Sequence, residues 1–160
     1  MSFCETFKIP YRIFRLGNVL GETDKGVSKK KNALQWLISE MAANREIGLY
    51  GGGHFYRDYM YVDDVCNAMF LAMKKAPVND IMHIALGIPT EFSAVIHYCH
   101  DKLGSQSKIT SMEPSAFHKI VQTTNNYLDI SKLNALGFKP RYNVYQALDK
   151  IMEAIKNDNI

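Results

Sequence analysis

Residues Leu49 to Asp64 read LYGGGHFYRDYMYVDD, and this stretch decides the fold. Gly51, Gly52 and Gly53 let the backbone turn sharply and let a ligand come close to the main chain. Tyr59, Tyr61 and Val62 have strand character. Asp63 and Asp64 stand where a helix should begin, because an apolar periodic run follows at once. The stretch therefore predicts a turn, a strand and a helix cap, with Arg57 near the start of the strand.

On the N-terminal side, Ile47 to Tyr50 reads as a short strand. Leu34, Leu37, Ile38, Met41 and Ala42 recur at helical spacing and predict an amphipathic helix over 32–44. Asn18 to Lys31 is polar and contains Gly, which predicts a loop. Tyr11 to Leu16 reads as a strand, and Met1 to Lys8 has a weak helical pattern. On the C-terminal side, Val65, Ala68, Met69, Ala72 and Met73 form a helical stripe that Phe70 and Leu71 widen, which predicts a well-buried helix. Ile81 to Leu86 is the next strand. Thr90 is expected to cap a helix with the stripe Phe92, Val95, Ile96, Cys99 and Leu103, ended by Gly104. Lys108 to Met112 is a further strand. Ser131 should cap a short helix that stops at Gly137, and Asn143 the last helix. Strands alternating with helices give an α/β class, organised as one unit over residues 1–160.

Composition narrows the function. A net charge of +3 is too small to argue for nucleic acid, and the basic run Lys29, Lys30 and Lys31 reads as a solvated loop. No apolar run approaches the roughly 20 residues of a membrane span. The first residues lack a basic region followed by an apolar core, so no secretory signal is expected. Cys4, Cys66 and Cys99 have no close metal spacing and read as reduced thiols of a cytoplasmic protein, Cys66 and Cys99 on apolar helix faces. His97 and His100 are three apart on a helix, but no carboxylate or thiolate cluster beyond Cys99 joins them, so no metal site is expected.

Four pieces of the chain, in order, carry a resemblance: RIFRLGNVLG from Arg12, LYGGGHFYRDYMYVDD from Leu49, IMHIALG from Ile81 and DISKLNALGFKP from Asp129. Together they resemble the C-terminal, substrate-binding half of the NAD-dependent epimerase/dehydratase family, the extended short-chain dehydrogenases that modify nucleotide sugars. The resemblance implies the last strands of a Rossmann-type parallel sheet plus a small mixed α/β lobe. It also implies NAD or NADP in the complete enzyme, a nucleotide-sugar substrate and a missing N-terminal cofactor half or partner chain; the strands at 11–16 and 81–86 would then present unpaired edges, so a homo-oligomer is expected. Two devices of the family have no counterpart here. No Gly-rich turn opens a helix to hold the cofactor pyrophosphate. No Tyr-x-x-x-Lys pair sits at the family's place; Tyr98-x-x-x-Lys102 has the spelling but falls in a segment that matches another part of the family. The chain alone is therefore expected to be inactive, with no catalytic residue of its own.

The matching positions supply the candidate substrate-binding residues Asn18, Lys31, Asn32, Leu49, Tyr50 and Arg57. A guanidinium can grip a diphosphate bidentately, so Arg57 leads; its alternative is a surface ion pair with Asp58. Asn18 stands at a strand end, where open α/β sheets bind ligands, or is a turn-former. Lys30, Lys31 and Asn32 begin a helix whose N-terminus favours anions, or are solvated. Leu49 and Tyr50 match positions lining the family's nucleobase pocket, or are strand core. Asp63 and Asp64 read as helix caps, Trp36 and Tyr127 as packing residues. His83 replaces a family Asn. The segment that often supplies a second phosphate-binding Arg reads Glu113-Pro114-Ser115-Ala116, with His118 and Lys119 as the nearby basic residues. A non-catalytic sugar-nucleotide-binding or subunit-interaction module is the alternative function.

Overall fold

A computed structural model describes residues 2–22, 32–114 and 125–158. Lys30, Lys31, His118 and Lys119 lie outside the described residues. The chain runs through α1 (Ser2–Thr6), β1 (Arg12–Leu16), β2 (Asn18–Leu20), α2 (Ala33–Ala42), β3 (Ile47–Tyr50), a tight turn at Gly51–Gly53, β4 (Tyr56–Arg57), β5 (Tyr59–Tyr61) and α3 (Val62–Lys75). It continues with β6 (Asp80–Ile84), β7 (Thr90–Glu91), α4 (Phe92–Leu103), β8 (Ile109–Met112), α5 (Ser131–Ala135) and α6 (Val144–Asp158).

Three strand pairs are parallel. β1 lies on β6 from Arg12↔Asp80 to Leu16↔Ile84, β2 on β5 from Asn18↔Tyr59 to Leu20↔Tyr61, and β3 on β8 from Ile47↔Ile109 to Tyr50↔Met112. Parallel neighbours need long crossovers, which the helices between them supply. The short β4 and β7 pair antiparallel, Arg57 facing Thr90. The core has two parts. In the first, α2, α4 and α6 pack together over β3 and β5, burying Leu37, Ile38, Met41, Ile47, Val95, Ile96, Leu148 and Ile151. The second lies between α3, β6 and α5 and buries Met60, Val65, Ala68, Ala72, Met82, Ile84, Leu133 and Phe138. The fold is α/β, and among the described residues no helix is long and apolar enough to cross a membrane.

Several expectations are corrected. The loop expected from Asn18 begins as β2, a strand too short to show periodicity, which is set by its pairing with β5. The helix α3 is not buried all round: Val65, Ala68 and Ala72 face the core, whereas Phe70, Met73 and Cys66 are exposed, because each residue step turns the helix by about 100° and leaves them off the packed stripe. Thr90 does not cap α4; it lies in β7, and the cap position is Glu91. Ser131 is already helical, and its N–H is received by Asp129 Oδ1 at 2.9 Å. Asn143 does cap α6, in a reciprocal pair: Gln146 N–H donates to Asn143 Oδ1 at 3.0 Å and Asn143 N–H to Gln146 Oε1 at 2.9 Å.

Asp63 and Asp64 are not caps either. Tyr61 holds the cap position of α3, and both carboxylates fall in its first turn. Asp64, only 1% exposed, instead receives the backbone N–H groups of Arg141 and Tyr142 through Oδ2 at 2.9 Å each, with Arg141 Nε at 3.4 Å from Oδ1. It ties the start of α3 to the approach of α6.

Candidate functional site

The bend after β3 is built from three glycines with φ of +54°, +67° and +81°. That left-handed run is open to glycine and costs other residues about 1–2 kcal/mol each. At Gly53 a Cβ would also stand 3.3 Å from Leu49 Cδ1 and from the Ser93 backbone. The turn thus lets β3 fold back so that residues on both sides of it, Leu49 and Tyr50 before and Phe55 and Arg57 after, line one cavity of about 360 Å³, together with Asn18, Asn32, Trp36, Tyr59 and Phe92. Asn18, Asn32, Leu49, Tyr50 and Arg57, drawn from three separate stretches of sequence, therefore share one hollow.

Arg57 does not pair with Asp58. Its guanidinium carbon sits 4.4 Å from the centroid of the Phe55 ring, and its Nη1 donates to the Tyr56 carbonyl at 2.9 Å. Phe55 stacks in turn on Phe92, centroids 4.8 Å apart. Burial lowers the Arg57 pKa from its ordinary value, as desolvation disfavours the charged form. Burial likewise raises the Tyr59 hydroxyl pKa well above its ordinary value.

Asn18 donates twice to one atom: its N–H and its Nδ2 lie 2.9 Å and 3.0 Å from the Asp58 carbonyl oxygen. Asn32 stands at the cap position of α2 with φ +54°, yet its side chain goes to Gln35 Oε1 rather than to the helix, and Gln35 Nε2 reaches the Gly21 carbonyl at 2.7 Å. Trp36, read from sequence as a packing residue, both packs against the core and lines the cavity. Tyr127 is more than half exposed.

Sequence reasoning did not pick Phe55, Phe92 or Asp58. Phe55 lies inside the Gly–Arg stretch, and its place next to Arg57 was the available signal. Phe92 was legible only as a core-stripe residue. Asp58 is 1% exposed and receives the N–H groups of Leu86, Gly87 and Leu128 at 2.9, 2.9 and 3.3 Å. Its carboxyl pKa is raised by burial, opposed by those three hydrogen bonds.

Tyr98 and Lys102 are not arranged as an acid/base pair. Tyr98 Oη donates to Asp149 Oδ1 at 2.7 Å, and Lys102 Nζ lies 3.6 Å from the same carboxylate. Burial and then Asp149 push the Tyr98 pKa up to about 12, the wrong direction for a proton shuttle at neutral pH. His83, standing where the family has Asn, lies with Nδ1 2.9 Å from the Asp129 carbonyl, holding the approach to α5. The long helices α2, α3, α4 and α6 are entered from Asn32, Tyr61, Glu91 and Asn143, and the glycine bend leads into β4.

A family model described as "NAD dependent epimerase/dehydratase family" matches residues 1–85. A putative UDP-glucose 4-epimerase of Methanocaldococcus jannaschii is 27% identical over 155 residues, covering 96% of this chain and 48% of that protein. The crystal structure of UDP-glucose 4-epimerase with UDP-glucose from Thermotoga maritima matches with a TM-score of 0.87 at 23% identity, over 99% of this chain and 50% of the other. UDP-N-acetylglucosamine 4-epimerase from Methanobrevibacter ruminantium, in complex with UDP-N-acetylmuramic acid, matches with a TM-score of 0.84 at 22% identity, over 98% and 49%. The chain spans about half the length of the curated relatives it matches. The structural likenesses establish the fold.

Proposed function

The chain belongs to the NAD dependent epimerase/dehydratase family, and we propose that it is the part of such an enzyme that grips the nucleotide diphosphate and orients the sugar. The observation that carries this is the one cavity whose lining brings Arg57 together with Asn18, Asn32, Leu49 and Tyr50. An Arg fork matches the paired oxygens of a diphosphate, and the lowered local polarity strengthens that contact. Leu34, Leu37, Trp36 and Phe92 give the apolar wall that a flat base needs, and Asn18 and Asn32 offer amides to hydroxyl groups. The volume suits a small ligand of this class. Lys31, outside the described residues, is kept as a candidate substrate contact on the family match alone.

Holding the substrate still is the positioning share of catalysis. The hydride chemistry of NAD and the proton-moving pair are assigned to a cofactor-binding half, on the same or another polypeptide, while this chain's own residues bind and orient the substrate. One feature supports such a companion. β1 pairs with β6 alone among the described strands, and the segment from α1 through β1 leaves Phe3, Phe7, Ile9 and Leu16 exposed. An unpaired edge of this kind invites another strand, from the cofactor half or from a second copy.

The test is calorimetric titration of the full chain with UDP-, CDP- and dTDP-sugars, beside Arg57→Ala. Binding by the wild type that is lost in the variant is expected; no binding of any of the three overturns the reading. Mixed with NAD and the sugar it binds, the chain alone is expected to give no epimerised or dehydrated product. Turnover would instead make it a complete enzyme.

A further inference from the structure

We propose that Asp58 is a positioning residue for the nucleotide site, fixing the backbones of Arg57 and Asn18 from behind the cavity. The proposal rests on the reading of that cavity as the nucleotide-sugar site. Asp58 is not part of the cavity lining, yet it bonds the chain close to both described segments that pair with the Arg57 backbone. On one side Arg57 pairs with Thr90 of β7, which is entered through the turn at Leu86 and Gly87. On the other side Arg57 bridges to Asn126, and Asn126 N–H donates to the Tyr56 carbonyl at 3.0 Å. The Asp58 carboxylate takes hold of both: Oδ1 receives Leu86 N–H, and Oδ2 receives Gly87 N–H and Leu128 N–H.

The main chain of Asp58 does the same for Asn18. Its carbonyl oxygen accepts both the N–H and the side-chain amide of Asn18. Gly17 permits this approach, since a Cβ there would stand 3.3 Å from that oxygen and 3.1 Å from Ala85 Cβ. One residue thus locks the two polar candidates at 18 and 57 to a common frame. A carboxylate suits the task because it offers acceptors only, and three N–H groups converge on it. An amide at the same place has one acceptor oxygen and turns an N–H₂ toward a donor.

The experiment uses the full chain and whichever of UDP and dTDP it binds more tightly, with the corresponding nucleoside as control. Titrations compare wild type, Asp58→Asn, Arg57→Ala and the double variant. Asp58→Asn is expected to weaken diphosphate binding about tenfold or more while leaving the nucleoside within about twofold. The double variant should bind no more weakly than Arg57→Ala alone, because the aspartate acts through the arginine. Equal weakening of diphosphate and nucleoside, additive losses, or unchanged diphosphate binding would each overturn the proposal and leave Asp58 a scaffold residue. If the wild type binds neither diphosphate, the cavity reading itself fails and this inference with it. If Asp58→Asn does not fold, amide exchange of the wild type decides. Leu86, Gly87 and Leu128 should exchange more slowly with the diphosphate bound, and no change at saturation overturns the proposal.

Discussion

The guanidinium carbon of Arg57 lies 4.4 Å from the centroid of the Phe55 ring. Because Phe55 also stacks on Phe92 at the start of α4, the charge is seated on an aromatic pair anchored in the core. A planar cation is what such a seat holds.

Lysine at this position therefore keeps the charge but loses both the fork and the stacking. Arg57→Lys is expected to weaken nucleoside diphosphate binding by on the order of tenfold, and Arg57→Ala by roughly 10- to 100-fold, as charged hydrogen bonds are worth about 1.5–3 kcal/mol. Calorimetric titration measures both, and a lysine variant that binds as tightly as wild type contradicts the bidentate role.

The bend should resist substitution. Gly53→Ala meets a φ of +81° and a 3.3 Å contact with the Ser93 backbone. Its cost is about 1–2 kcal/mol from the backbone alone, with Phe55 and Arg57 displaced besides. Urea unfolding reads the first effect and ligand titration the second.

Asp64 predicts a loss of stability that its neighbour does not. Asp64→Ala strands the N–H groups of Arg141 and Tyr142, a loss of about 2–3 kcal/mol. Asp63 is more than half exposed and stands 3.9 Å from Arg141 Nη2, so Asp63→Ala should stay within about 0.5 kcal/mol. Parallel denaturant curves for the two variants test the contrast.

Acid should weaken the fold. Tyr61 holds the Glu22 carboxyl below its ordinary value, as Arg45 does for Glu40, Lys132 for Asp80, His54 for Glu91 and Ser131 for Asp129. Carboxyls lowered on folding add stability that is present above their unfolded values and is lost as pH falls through their folded values. The decline therefore sets in near 4.5 for Glu and 3.8 for Asp and continues below. Asp58, raised by burial, works in the opposite sense and loses stability as pH rises from its unfolded value through its raised one. Urea midpoints across the acid range should fall less steeply for Glu22→Gln than for wild type.

Tyr98 is expected to be silent in binding. Tyr98→Phe removes its hydrogen bond to Asp149 and should leave ligand affinity within about twofold, at a cost near 1 kcal/mol in stability. A large loss of affinity would return Tyr98 to the site.

The sequence made local structure and family legible for distinct reasons. Helices α2, α4 and α6 follow from apolar spacing, and Arg57 from its place after a glycine bend. Strand β2 was missed because three residues carry no period. Its place is set by its pairing with Tyr59 to Tyr61, 41 residues on. The caps at Thr90, Ser131 and Asp63 were misplaced by one or two positions, since a carboxylate or hydroxyl near a helix start has several backbone groups to choose from. Asp64 and Asp58 show the same limit more sharply. Their partners at 141–142, 86–87 and 128 are distant in sequence, and nothing local distinguishes a buried acceptor from an exposed charge.

The cavity wall and the main core share Leu20, Leu34, Leu37, Leu49, Tyr59 and Phe92. Whatever fills the hollow completes the packing of the fold and acts as a detachable part of the interior. The amount of intact chain in a cell should then rise and fall with the supply of that small molecule, since occupancy shifts the folding equilibrium by mass action. A starved cell would clear the chain sooner, and a supplied one would shelter variants too weak to stand empty.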